Sequence, residues 1–205
     1  MMTLPHHKSR TAIDFLRDLH ELQWQISVMV SDQESVGLET GFKHTIHLIK
    51  QCSQKSKKLI FIGNGGSAGI ASHQAVDYWK NGKIKAIAFN DASLLSCISN
   101  DYGYHRVFAE PIKQFADPGD ILIAISSSGR SRNILEAVEA ARDSKCAVVT
   151  LSGFDQTNPL RSKGNINFYV PSYSYGHVEV SHLCILHAML DEIMFFSDTA
   201  ENEKR

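Results

Sequence analysis

Lys58-Leu-Ile-Phe-Ile-Gly-Asn-Gly-Gly-Ser-Ala68 is an apolar run that opens into a glycine- and serine-rich turn. It reads as a buried strand, a tight turn and the start of a helix. Backbone N–H groups at a helix N-terminus, joined by small hydroxyls, make a pocket for an anion such as phosphate. A second stretch repeats the pattern, with the apolar run 121–125 leading into Ser126-Ser-Ser-Gly-Arg-Ser131. Two such turns on strands of one parallel sheet place a phosphorylated small molecule at the carboxyl ends of the strands. His73 and Asp77 follow the first turn, four apart and so on one helix face. A phosphate cradle beside a histidine–carboxylate pair suggests an enzyme acting on a sugar phosphate.

Outward from these turns the pattern alternates. Strand-like runs cover 59–62, 86–89, 121–125, 147–151 and 166–170, and helix-like stretches cover 68–79, 104–115 and 130–141. Strands alternating with helices predict βαβ units, hence a five-stranded parallel sheet covered on both faces. Before Lys58 the chain reads as helix. Ile13, Leu16, Leu19, Leu22, Ile26 and Met29 form one apolar stripe, and Leu38, Phe42, Ile46 and Ile49 a second. Ser31 and Glu34 between them have the spacing of a capping box. The expectation is an N-terminal helical hairpin that buries its stripes against a partner subunit or against its own sheet. A last helix, 177–197, is apolar on most sides yet carries Glu179, His182 and His187. Buried ionisable groups need partners or a metal.

The chain has 205 residues, 43% hydrophobic and 21% charged, with a formal net charge of -1. One domain over 1–205 is expected, with residues 1–55 as the N-terminal helices and 56–197 as the core. Lys and Arg are dispersed, with no electrostatic footprint for nucleic acid. No apolar run approaches the ~18 residues of a membrane span. Residues 1–10 are polar, and the four cysteines lie far apart with no CxxC pair. A reduced cytoplasm is the expected compartment.

Gly63-Asn-Gly-Gly-Ser-Ala68, His73 with an acid at 77, Asn100-Asp-Tyr-Gly-Tyr104, Ile125-Ser-Ser-Ser-Gly129 with Ser131, and a late helix bearing His187 together resemble the phosphoheptose isomerase family of sugar-isomerase (SIS) domain proteins. The likeness runs from about residue 11 to 195. It implies a flavodoxin-like αβα sandwich assembled as a homotetramer with active sites at subunit interfaces. The implied reaction converts sedoheptulose 7-phosphate to D-glycero-D-manno-heptose 7-phosphate through a cis-enediol, for surface-glycan heptose. By resemblance, Asn64, Gly65, Gly66 and Ser67 line the substrate site with Asn100, Asp101 and Glu179, and Ser126, Ser127, Ser128 and Ser131 hold the phosphate. The implied zinc ligands are His73, Asp77, Glu179 and His187, with Asp77 and His187 as the base and acid.

Two of those positions depart from the family, which usually has glutamate at 77 and glutamine at 179. Asp77 is shorter by a methylene, and Glu179 adds a negative charge. Eight residues also separate Glu179 from His187, about 12 Å along a regular helix, too far for two ligands of one metal. Glu179 is expected either at or before the helix start or in a different copy of the site. The rival readings are an isomerase of another phosphosugar, a non-catalytic SIS protein that binds a phosphosugar or a replication initiator, and a phosphosugar-sensing regulator.

Overall fold

The computed structural model describes residues 11–30 and 34–202. β3 (Leu59–Gly63), β4 (Ala86–Ala88), β5 (Ile121–Ser126), β6 (Ala147–Ser152) and β7 (Ile166–Tyr169) are parallel, in the spatial order β4-β3-β5-β6-β7. That is the flavodoxin-like order, which reverses between β3 and β5. The sheet does not stop at five strands. β1 (Ser27–Val30) pairs antiparallel with β7, and β2 (Glu34–Val36) pairs antiparallel with β1, giving a mixed sheet of seven.

These two strands correct the helical hairpin expected before residue 55. α1 (Ala12–Gln23) ends well before Met29, and α2 (Leu38–Gln54) begins after the strand pair. The three- and four-residue spacing of Leu22, Ile26 and Met29 had masked a two-residue alternation. Ile26 and Val28 are buried and Val30 packs against the same core, as a half-buried strand requires. The capping box does not form as expected: Glu34 lies in β2, Ser31 is outside the described residues, and α2 starts from Gly37 with no side-chain cap. α1 instead carries a capping box of its own, between Thr11 and Asp14.

Strand alternation splits the interior into two cores. Leu59, Phe61, Ile121 and Ile123 face α2, α3 (Gly66–Lys80) and the last helix, α7 (Tyr175–Asn202). Ile60, Ile62, Leu122 and Ala124 face α5 (Ala109–Phe115) and α6 (Arg132–Asp143). The helix expected over 104–115 is a 3-10 turn at Tyr104–Arg106 followed by the short α5. A further helix, α4 (Ala92–Tyr102), precedes it. Asp91 caps α4 by accepting from the Ser93 and Leu94 amides, and Leu94, Leu95 and Ile98 pack half-buried against the second core.

The amino ends of β3 and β5 are fastened by one buried carboxylate. Asp120 is fully buried and accepts from the Lys58 and Asp117 backbone amides at 2.9 and 2.8 Å, with the Lys58 ammonium 2.6 Å away. The N-terminal helices pack on their own chain, where Gln23 of α1 donates to Ser181 of α7 at 2.8 Å. α1 still leaves Ile13, Leu16 and Trp24 exposed.

α2 crosses β1 so closely that a Cβ on Gly41 would lie 2.6–3.0 Å from three carbons of the buried Val28 side chain. Gly41→Ala gains about 1 kcal/mol of helix propensity but loses about 1–3 kcal/mol to overpacking that rotation of the β-branched Val28 does not relieve. Urea denaturation is expected to show net destabilisation.

Candidate functional site

The carboxyl ends of β3 and β5 open into a pocket of about 260 Å³. Asn64, Gly65, Gly66 and Ser67 line it from the first turn, and Ser126, Ser127, Ser128 and Ser131 from the second. α3 rises from the first turn and α6 from the second. Neither carries a side-chain cap. Uncapped first turns leave N–H groups for an anion. Gly65 stands at φ +55 and Gly129 at φ +61, the left-handed region that favours glycine. Ser126 is nearly buried, and Ser127 Oγ is buried with no hydrogen-bond partner. A buried hydroxyl without a partner is costly, and an oxygen of a bound anion would satisfy it.

Asn64 is held by two residues that sequence reasoning missed. Its amide exchanges a reciprocal pair of hydrogen bonds with Asn133 of α6, at 2.9 and 2.8 Å, and its Oδ1 accepts from the Tyr104 hydroxyl at 3.0 Å. Asn133 stands two residues past Ser131, which was a usable signal. Tyr104 lay inside a quoted motif. Tyr175 also lines the pocket.

A second cluster lies further along α3. His73 Nε2 is 3.2 Å and His187 Nδ1 3.9 Å from Asp77 Oδ2, and one ligand atom from each of the three lies within 4.8 Å of the others. Two imidazoles and a carboxylate are a donor set suited to zinc, with three protein ligands and an open position. Asp77 Oδ1 accepts from Asn81 at 3.3 Å.

Glu179, expected with these three, is not among them within one protomer. It lies inside α7, not before its start, and it lines the pocket with its carboxylate against Gly66. A Cβ at Gly66 would meet its oxygens at 2.4 and 2.6 Å. The rise of a helix puts His73 and Asp77 roughly 10 and 16 Å along α3 from Gly66. The cradle and the histidine–aspartate cluster are thus two places on one protomer. Asn100 and Asp101, expected at the substrate, are exposed at the end of α4. There Asn100 donates to Asp101 at 2.9 Å, and neither lines the pocket.

The SIS-domain family model matches residues 29–153, more than half of the chain. The phosphoheptose isomerase of Shewanella denitrificans is 34% identical over 175 residues, covering 82% of this chain and 89% of that protein. The chain belongs to the phosphoheptose isomerase family. The Helicobacter pylori phosphoheptose isomerase is also 34% identical, over 161 residues, with 76% of this chain and 83% of that protein covered. Among solved structures, a phosphoheptose isomerase from Neisseria gonorrhoeae superposes with a TM-score of 0.76 at 29% identity, over 88% of this chain and 96% of that one. No helix among the described residues is long and apolar enough to cross a membrane.

A polar layer underlies the serine turn in this family member. Gly153 N donates to Ser127 O at 3.0 Å and Leu160 N to Gly129 O at 3.2 Å. The Asn158 amide donates to Gly153 O and Asp155 O at 3.1 and 2.8 Å. His182 is fully buried in this layer, its Nε2 3.1 Å from Ser152 O and its Nδ1 without a partner. The carbonyl accepts, so Nε2 carries the proton of the neutral ring. Burial pushes His182 down to about 4, against a smaller opposing effect of the Ser152 carbonyl.

The unfolded chain therefore takes up a proton that the folded chain refuses between about pH 6.5 and 4. Stability from this group is complete above that window and is lost as pH falls through it, by at most about 1.4 kcal/mol per unit. His182→Gln keeps a donor for Ser152 and removes the titration. Urea denaturation from pH 7 to 4.5 is expected to give a shallower decline for the variant than for wild type.

Proposed function

We propose that the protein isomerises sedoheptulose 7-phosphate to D-glycero-D-manno-heptose 7-phosphate, an aldose–ketose interconversion. The observation that carries this reading is the course of α3, which starts in the anion pocket and bears His73 and Asp77 on its exposed side. The relatives named above are phosphoheptose isomerases, which supports the same substrate here.

Ser126, Ser127, Ser128 and Ser131 bind the phosphate with the first turns of α3 and α6. Asp77 takes the proton from C1 of the ketose, leaving a C1–C2 cis-enediol, and returns it to C2. The hydroxyl proton moves from O1 to O2 through His187, so the sum is a transfer of hydrogen with no external oxidant. The Nε2–H of His73 donates to the Asp77 carboxylate at 3.2 Å and orients it. His73, Asp77 and His187 would hold a zinc ion, which when bound polarises the carbonyl oxygen. Glu179 offers acceptor oxygens to sugar hydroxyls from above Gly66.

Phosphate pocket and base are separated along α3, and Ile13, Leu16, Trp24 and Trp79 are exposed apolar groups. Both features support a homotetramer in which a second copy completes each site. The setting we propose is the cytoplasm, in heptose synthesis for surface glycans. The whole chain serves as one domain, with residues 1–55 contributing to assembly and 56–197 to the site.

Two experiments test this. In deuterium oxide, proton NMR is expected to show solvent deuterium entering the sugar at C2 and a new aldose phosphate signal. Asp77→Asn is expected to abolish the exchange while substrate still binds, because an amide cannot take the carbon-bound proton. Absence of exchange by wild type, with or without added zinc, overturns the enzyme reading in favour of phosphosugar binding alone. Calorimetric titration with zinc is expected to show binding that weakens on acidification, as protons compete for the imidazoles, and His187→Ala is expected to lose it.

A further inference from the structure

We propose that Asn133 and Tyr104 are positioning residues that lock the Asn64 amide so that it offers a hydrogen-bond donor, never an acceptor, to the bound sugar phosphate. This rests on the reading above for its substrate but not for its geometry.

The polarity is decided by one group that has no choice. The backbone N–H of Ile134 lies 3.0 Å from a side-chain atom of Asn133. A backbone N–H only donates, so that atom is Oδ1. The other end of the Asn133 amide is then Nδ2, and it faces Asn64 at 2.8 Å. The facing atom of Asn64 must accept, so it is Oδ1, and Asn64 Nδ2 returns a bond to Asn133 Oδ1 at 2.9 Å. Tyr104 meets the same Asn64 Oδ1 at 3.0 Å and must therefore donate. An amide left to itself flips between two nearly equivalent shapes. Here one fixed donor, the Ile134 N–H, sets the Asn133 amide, which sets Asn64, and the Tyr104 hydroxyl completes the arrangement.

The donor count is what remains. Asn64 Oδ1 accepts twice, filling both of its lone pairs, and Nδ2 spends one of its two hydrogens on Asn133. One N–H is left on a residue that lines the pocket, and its complement is an oxygen of the sugar phosphate. Asn133 is 3% exposed and Tyr104 56% exposed, and neither lines the pocket. Both act through Asn64. Tyr104 also follows Asn100 and Asp101 directly after Gly103, so its hydroxyl ties that segment to the first turn.

Tyr104→Phe removes one hydroxyl from an exposed ring and is expected to leave the melting temperature unchanged. It is expected to raise KM for sedoheptulose 7-phosphate about 3–10-fold, the net worth of one hydrogen bond, with kcat changed by less than about twofold. Asn133→Ala frees both ends of the amide and is expected to raise KM by more than Tyr104→Phe does. A surface or merely structural tyrosine would not move KM. In ligand-free ¹⁵N-labelled protein, both variants are expected to shift the Asn64 side-chain amide resonances. Wild-type KM in both variants overturns the proposal, as do unshifted Asn64 resonances in Tyr104→Phe. Wild-type protein inactive on the sugar overturns the functional reading alone, and the amide resonances then decide the relay.

Discussion

β3 and β5 are neighbours in space, but the chain leaves them in opposite directions. α3 departs from β3 onto one face of the sheet, and α6 departs from β5 onto the other. Right-handed crossovers impose this divergence wherever strand order reverses. Two helix N-termini are thereby held apart over one crevice with nothing of the sheet between them. The serine turn, the glycine turn and the amide pair bridging them are consequences of that gap. A chain wound in one sense throughout would have stacked the two helices on one face and left no place for an anion.

Opposite ends of these strands do different work. At the amino end, Lys58 and Asp117 close around the buried Asp120, and both of its carboxylate oxygens find donors inside the protein. At the carboxyl end, Ser127 Oγ is buried without one and two helices go uncapped. Unsatisfied groups carry a cost that a well-packed sheet can bear when a ligand recovers it. The fastening below is what permits the deficit above.

Elements with one dominant period were legible in the chain itself. The five parallel strands are predominantly apolar, and the two turns carry their glycine and serine pattern in plain view. β1 was not legible, because Ile26 and Met29 extend a helical spacing that the alternating Ile26, Val28 and Val30 also satisfy. Only pairing with β7 chooses between the two. α4 was missed because its apolar face is only Leu94, Leu95 and Ile98, a stripe of little more than one turn and only half-buried. At the site, local spacing was enough for His73 and Asp77, one turn apart. For Glu179 the spacing already set it too far from His187 for one metal, against the ligand set that the resemblance implied, but where it goes instead depends on how α7 lies across Gly66. Asn133 and Tyr104 were missed for a related reason: their role is to meet Asn64, and a meeting of three distant segments leaves no mark on any one of them.

Gly66 and Glu179 share a single small volume, for the carboxylate occupies the space that any side chain at 66 would need. The two positions form one heritable unit although most of the sheet is threaded between them. The contact is with the far end of a flexible side chain, so a residue placed at 66 turns the carboxylate away without disturbing the backbone. Enlarging 66 therefore moves a negative charge off the first turn, and the charge of the crevice is set as much by the absence of a side chain at 66 as by the acid at 179.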